Sequence, residues 1–214
     1  MSLCQSLYPC LGSLEIVVRN SIHATLTAHF GSAYWYDIPG LLQSREIRNV
    51  REAEKKIRDA RKQVTPGRVV AALNFGFCTS LLDTLYGNSP KGPQIWASPN
   101  SRLLMPAFPQ APGSALGVRR PTFNRLDDIR LLRNRDSHFE RVFHGIELPP
   151  RGTRKGALPR QLSITQMHVD IIDMIGWPDP ILKATTRRPD TFPYMHQDGH
   201  EEMEREIKTD LRIL

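Results

Sequence analysis

The chain has 214 residues, 40% hydrophobic and 24% charged, which suits one globular domain, or one domain with an appendage, and a proper core. Its 29 lysines and arginines outnumber 22 acidic residues, and the formal charge of +7 favours a polyanionic partner, nucleic acid first. No stretch approaches the ~20 apolar residues of a membrane span, and the opening MSLCQSLYPCLG lacks the form of a signal peptide. The expectation is therefore a cytoplasmic protein without membrane association. Cys4, Cys10 and Cys78 are odd in number and form no CxxC pair, so they indicate neither a disulfide framework nor a zinc site and read as buried reduced thiols.

In chain order, Leu7, Leu11, Leu14, Val18, Ile22 and Leu26 recur every three or four residues. That spacing predicts a long amphipathic first helix ending near Phe30-Gly31, with Pro9 marking its first regular turn or a kink. It begins almost at Met1 without a capping sequence, which leaves the native start open. A loop holding YWYDIPG follows, and Ser44 is expected to cap a second helix dense in charges of alternating sign. Thr65-Pro66 opens a third helix running through RVVAALNFGFCTSLLDTLY to Gly87. It is apolar nearly all round, so it is expected to be the central, most buried one.

Residues 88–121 hold much of the proline and predict a long irregular connection with Trp96, Leu104 and Phe108 as anchors. Pro121 starts a fourth helix that ends at Gly145. The basic loop PPRGTRKGALPR leads to a fifth helix capped by Ser163, and after Trp177-Pro178 come a short helix and a polar tail. No strand alternation and no internal repeat stand out. The expected fold is an all-α helical bundle, with residues 1–177 as one domain and 178–214 as a polar helical tail.

The fourth helix carries the densest chemistry. At about 100° per residue, Leu126, Ile129, Leu131, Leu132, Phe139, Val142 and Phe143 gather on one side, opposite Arg130, Arg133, Asn134, Ser137, His138 and Arg141. Arg133 and His138 flank the polar face, and Asn134 stacks one turn before His138. A fixed cation and a group titrating near neutral pH, converging on one anion, suit phosphate chemistry. Arg135 reads as pointing into the apolar side, and Glu15 falls within the first helix's apolar stripe. An unpartnered buried charge is costly, so Glu15 is expected to pair with Arg135 or another buried arginine. Arg19 and His23 follow Glu15 at i+4 and i+8, either reaching the fourth helix or lining the surface.

The stretch LRNRDSH at 132–138 resembles the R-x4-H signature of the HEPN superfamily, and the chain around it resembles the Abi-like, abortive-infection family of bacteria. LEIVVRNSIH at 14–23, ALNFGFCTSLL at 72–82 with IW at 95–96, and HFE at 138–140 support the resemblance, which spans roughly residues 7–145. It implies a HEPN-like bundle that dimerises, sets two R-x4-H helices in one basic cleft, and cleaves RNA without a metal or other cofactor in phage defence or toxin–antitoxin systems. An antitoxin or a phage-derived trigger would then be a regulatory partner. Carried over, Arg133 and His138 are the catalytic pair, Asn134 the polar residue beside them, Glu15, Arg19 and Asn20 the first-helix motif, and Glu140 the acidic residue after the histidine. Arg130, Arg141, Arg19 and Asn20 are the candidate RNA contacts, with Glu15, Arg135 and Glu140 in supporting roles.

Two other classes compete: a non-catalytic RNA- or nucleotide-binding module, and a protein-interaction bundle. Metal ligation by histidines fits poorly, because His138 and His144 point to different sides, His196 and His200 sit in a polar tail beside Gly199, and no third or fourth ligand follows at site-like spacing. GNSPKGP lacks the spacing of a phosphate-cradling P-loop.

Overall fold

The computed structural model describes residues 3–87, 95–96, 104–112, 119–137, 145–151 and 158–195. They form a mostly helical bundle: α1 (Leu3–Phe30), α2 (Ser44–Asp59), α3 (Pro66–Ala72), α4 (Phe75–Ser80), α5 (Leu104–Ala107), α6 (Arg119–Ser137), α7 (Ile164–Ile175) and α8 (Pro180–Arg187). Strands β1 (Ile146–Leu148) and β2 (Arg160–Leu162) pair antiparallel, with Ile146 opposite Leu162 and Leu148 opposite Arg160. No helix among the described residues is long and apolar enough to cross a membrane.

The apolar stripe of α1 is the axis of the core. Leu7, Leu11, Leu14, Val18, Ile22 and Leu26 are all at most 4% exposed, and α1 packs against α3, α4, α5 and α7. The helix ends as the sequence reading expects, with Gly31 at φ +65, a left-handed closing residue. The central position therefore belongs to the first helix and not to the third.

The expected third helix is in fact three pieces: α3, α4 and one 3-10 turn at Thr84–Tyr86. Leu73 turns extended, and the Asn74 carboxamide oxygen accepts the Phe77 N–H at 2.8 Å, starting α4 afresh. A capping side chain outcompetes helix continuation here. Thr65 caps α3, with Pro66 at its first position. At α2 the cap position falls to Gln43 rather than Ser44, and the Gln43 N–H donates to the Tyr86 hydroxyl at 2.9 Å. That hydroxyl donates in turn to the buried Glu46 carboxylate at 2.8 Å.

Trp96 and Phe108 are buried anchors of the long connection, while Leu104 lies in α5. The Trp96 indole N–H donates to the Leu81 carbonyl, giving a buried ring the polar partner it requires. The strands β1 and β2 bring together the two ends of the basic stretch at 149–160. Ser163 caps α7 by accepting the Gln166 N–H. Beyond α7, α8 packs on α7, and Phe192, 1% exposed, belongs to the same core.

Candidate functional site

Glu15 and Arg19 follow the fully buried Leu14 and Val18 by one residue each, so they lie on the flank of the α1 stripe. From there Glu15 accepts a contact from Arg133 of α6 at 2.9 Å and lies 3.8 Å from Arg19. Arg19 donates to the Ala71 and Leu73 carbonyls, both at 3.1 Å. Those oxygens close the last turn of α3, where helical carbonyls lack intrahelical partners and carry the negative end of the dipole. Arg19 is thus a cap for the break between α3 and α4, held in place by Glu15, and is only 13% exposed. Asn20 is exposed.

His23 turns to the opposite task of holding an aromatic ring: its Nδ1 accepts the Trp35 indole N–H at 2.9 Å. Burial lowers its pKa, which keeps the ring neutral and Nδ1 an acceptor. Beneath the carboxylate–arginine pair, burial pushes the Cys78 thiol up to about 12, with Glu15 adding to the rise and Arg19 opposing it. Cys10 and Cys78 are both buried free thiols.

On α6 the partner of Glu15 is Arg133, not Arg135. Arg133 lies four residues after Ile129 and seven after Leu126, on one ridge with two side chains at most 2% exposed. α6 packs against α4, and Arg133 reaches across to Glu15 of α1. Arg135 leaves from the other flank and donates to the Glu147 carbonyl of β1 at 2.8 Å. The expected division between a catalytic edge and a structural peg is therefore redrawn, since Arg133 itself ties two helices together. Its side chain keeps 37% exposure, against 14% for Glu15. Arg130 is engaged by Asp127 on its own helix, at 2.8 and 3.0 Å, and Asn134 is exposed. His138, Glu140 and Arg141 lie outside the described residues.

A second cationic cluster escaped the sequence reading. Asp128 of α6, with its side chain 10% exposed, binds Arg160 through both oxygens, at 2.6 and 3.0 Å, and also binds Arg151. Arg119 and Arg120 at the start of α6 complete a cavity of about 220 Å³ against these two arginines. Burial lowers the pKa of Arg119 and Arg151. The available signal was Asp128 itself, a carboxylate directly before the buried Ile129.

No family model matches the chain, and neither a curated protein nor a solved structure matches it. Glu15 fixes one end of Arg133 while more than a third of the arginine side chain is exposed, so a planar cation of the kind that binds anionic oxygens is held in a set orientation at the surface.

Proposed function

We propose that this chain is a metal-independent endoribonuclease of the abortive-infection or toxin type, resembling Abi-like HEPN proteins. The observation that carries the reading is the oriented, solvent-facing Arg133 at the head of the R-x4-H segment. RNA supplies its own nucleophile, the 2′-OH, so the protein has to move protons and stabilise charge. Arg133 holds the phosphate oxygens and offsets the charge that grows on them. His138 acts as general base or acid, a role contributing roughly 10²–10⁴-fold, and Asn134 orients phosphate, water or imidazole. A homodimer would supply a second histidine for the second proton transfer, and an antitoxin or phage-derived trigger would govern access. The products are a 2′,3′-cyclic phosphate and a 5′-OH end.

The deciding experiment incubates the purified chain with RNA in EDTA and analyses the ends. Cleavage persists in EDTA, and Arg133→Ala or His138→Ala lowers its rate at least 100-fold. Cleavage that stops in EDTA, or that survives both substitutions, overturns the reading. The engagement of Arg133 by Glu15, together with the cavity that Arg119, Arg120, Arg151 and Arg160 line, supports a second reading, a non-catalytic RNA- or nucleotide-binding module. Salt-sensitive RNA binding by a wild-type chain that leaves the RNA intact would select that one. Lack of RNA binding would return the chain to the protein-interaction class.

A further inference from the structure

Three elements far apart in sequence meet at one buried point. Cys10 of α1, His168 of α7 and Asp190, three residues beyond α8, each offer a ligand atom within 4.8 Å of the others. Cys10 is 1% exposed, and the His168 and Asp190 side chains are 9% and 5% exposed. Burying a thiol, an imidazole and a carboxylate together costs solvation that a purely structural contact could avoid with apolar residues.

We propose that Cys10, His168 and Asp190 bind one divalent cation of the zinc class, with a fourth coordination position open to the adjoining cavity. Sulfur, nitrogen and oxygen donors in one set suit this borderline-soft ion better than calcium or magnesium, which favour oxygen alone. The charges also close: thiolate and carboxylate balance a divalent ion, leaving a neutral buried unit. Binding sends the thiol proton to solvent, and the proton shared by His168 Nε2 and Asp190 Oδ2 also leaves that contact, to Nδ1 or to solvent, so that the imidazole coordinates through Nε2 as its Nδ1–H tautomer.

Geometry requires only a small adjustment. Bonds of about 2.0–2.3 Å at tetrahedral angles set ligand atoms about 3.3–3.7 Å apart. His168 Nε2 and Asp190 Oδ2 lie 2.8 Å apart, so they part by about half an ångström. Their surroundings hold them for the task. The Phe192 N–H donates to Asp190 Oδ1 at 3.1 Å, and the Phe192 ring stacks on His168 at 4.2 Å. Such supporting contacts orient metal ligands. Without an ion, burial and the neighbouring Asp190 push the Cys10 thiol up to about 12. An ion reaches the trio from a cavity of about 570 Å³ lined by His168, Asp190 and Tyr194, or from one of about 200 Å³ lined by Cys10 and Asp190.

The test uses the full chain stripped with EDTA, followed by Co²⁺ titration and Zn²⁺ equilibrium dialysis. A thiolate-to-cobalt charge-transfer band grows and saturates at one ion per chain. Cys10→Ser abolishes the band, and Cys10→Ser, His168→Gln and Asp190→Asn each weaken Zn²⁺ binding at least tenfold while circular dichroism stays native. Should Cys10→Ser fail to fold, a Cys4→Ser, Cys78→Ala chain, which retains Cys10 alone, decides by keeping the band. No thiolate band in the wild type, loss of the band when Cys10 is the sole cysteine, or equal Zn²⁺ binding by a folded Cys10→Ser variant overturns the site. None of these readouts depends on RNA cleavage, so their failure is separable from failure of the proposed function.

Discussion

At the scale of single residues, His23 shows how one helix flank divides its work. Glu15 and Arg19 form a charged contact, whereas His23, one turn further, must remain neutral to accept the Trp35 indole N–H. Trp35 is 1% exposed, so losing that acceptor strands a buried donor. The sign of the pH effect follows from burial, which lowers the folded-state pKa below the unfolded value of about 6.5. Above that value the contribution is fully present. As pH falls through about 6.5 toward the lower folded-state pKa, the unfolded state binds more protons and stability is lost. Thermal midpoints of the wild type should therefore drop more steeply between pH 7 and 5 than those of His23→Gln, which keeps an acceptor but cannot titrate. Parallel curves for the two proteins would show that His23 is not the group responsible.

At the scale of elements, periodicity was readable and interruptions were not. The six-residue stripe of α1 and the Ser163 cap of α7 follow directly from spacing and residue type. The break at Asn74 was masked because apolar residues on both sides of it point into one core, and a capping side chain weighs little against such a run. The strand pair was hidden for another reason: three residues per strand are too few to establish alternation. Helix ends also carry conformational costs that composition does not reveal. α2 closes with Lys62 N–H to the Ile57 carbonyl and Arg61 N–H to the Arg58 carbonyl, the Schellman pattern, yet its left-handed residue is Arg61 at φ 55. A side chain there costs about 1–2 kcal/mol that glycine avoids, partly offset by glycine's greater unfolded-state entropy. Arg61→Gly should thus stabilise the chain by about 0.5–1 kcal/mol in urea denaturation. A loss of stability would mean that the Arg61 side chain holds a contact worth more than the strain.

At the scale of the whole molecule, what the sequence concealed was convergence. A charged partner for Glu15 could be demanded from cost alone, but choosing Arg133 over Arg135 required knowing which flank of α6 comes within reach of Glu15. Asp128 with Arg151 and Arg160, and Cys10 with His168 and Asp190, join segments whose separation in sequence carries no spacing signal. The Glu15–Arg133 contact is the convergence most open to measurement, because it links α1 to α6 and also orients the proposed phosphate ligand. A 37% exposed arginine is partly screened by solvent, so the pair should couple by about 0.5–1.5 kcal/mol, between an exposed and a buried ion pair. Glu15→Gln should cost more than Arg133→Met, because Glu15 also faces Arg19 at the end of α3. A double-mutant cycle in urea with these two substitutions checks both statements. Additivity within about 0.3 kcal/mol would remove the link between the helices. Activity supplies the second half of the argument. If Glu15 orients Arg133 for phosphate, Glu15→Gln lowers RNA cleavage in the wild type but adds nothing once Arg133 is already methionine, even where the folded fraction is unchanged. Equal losses in both backgrounds would assign Glu15 to the fold alone.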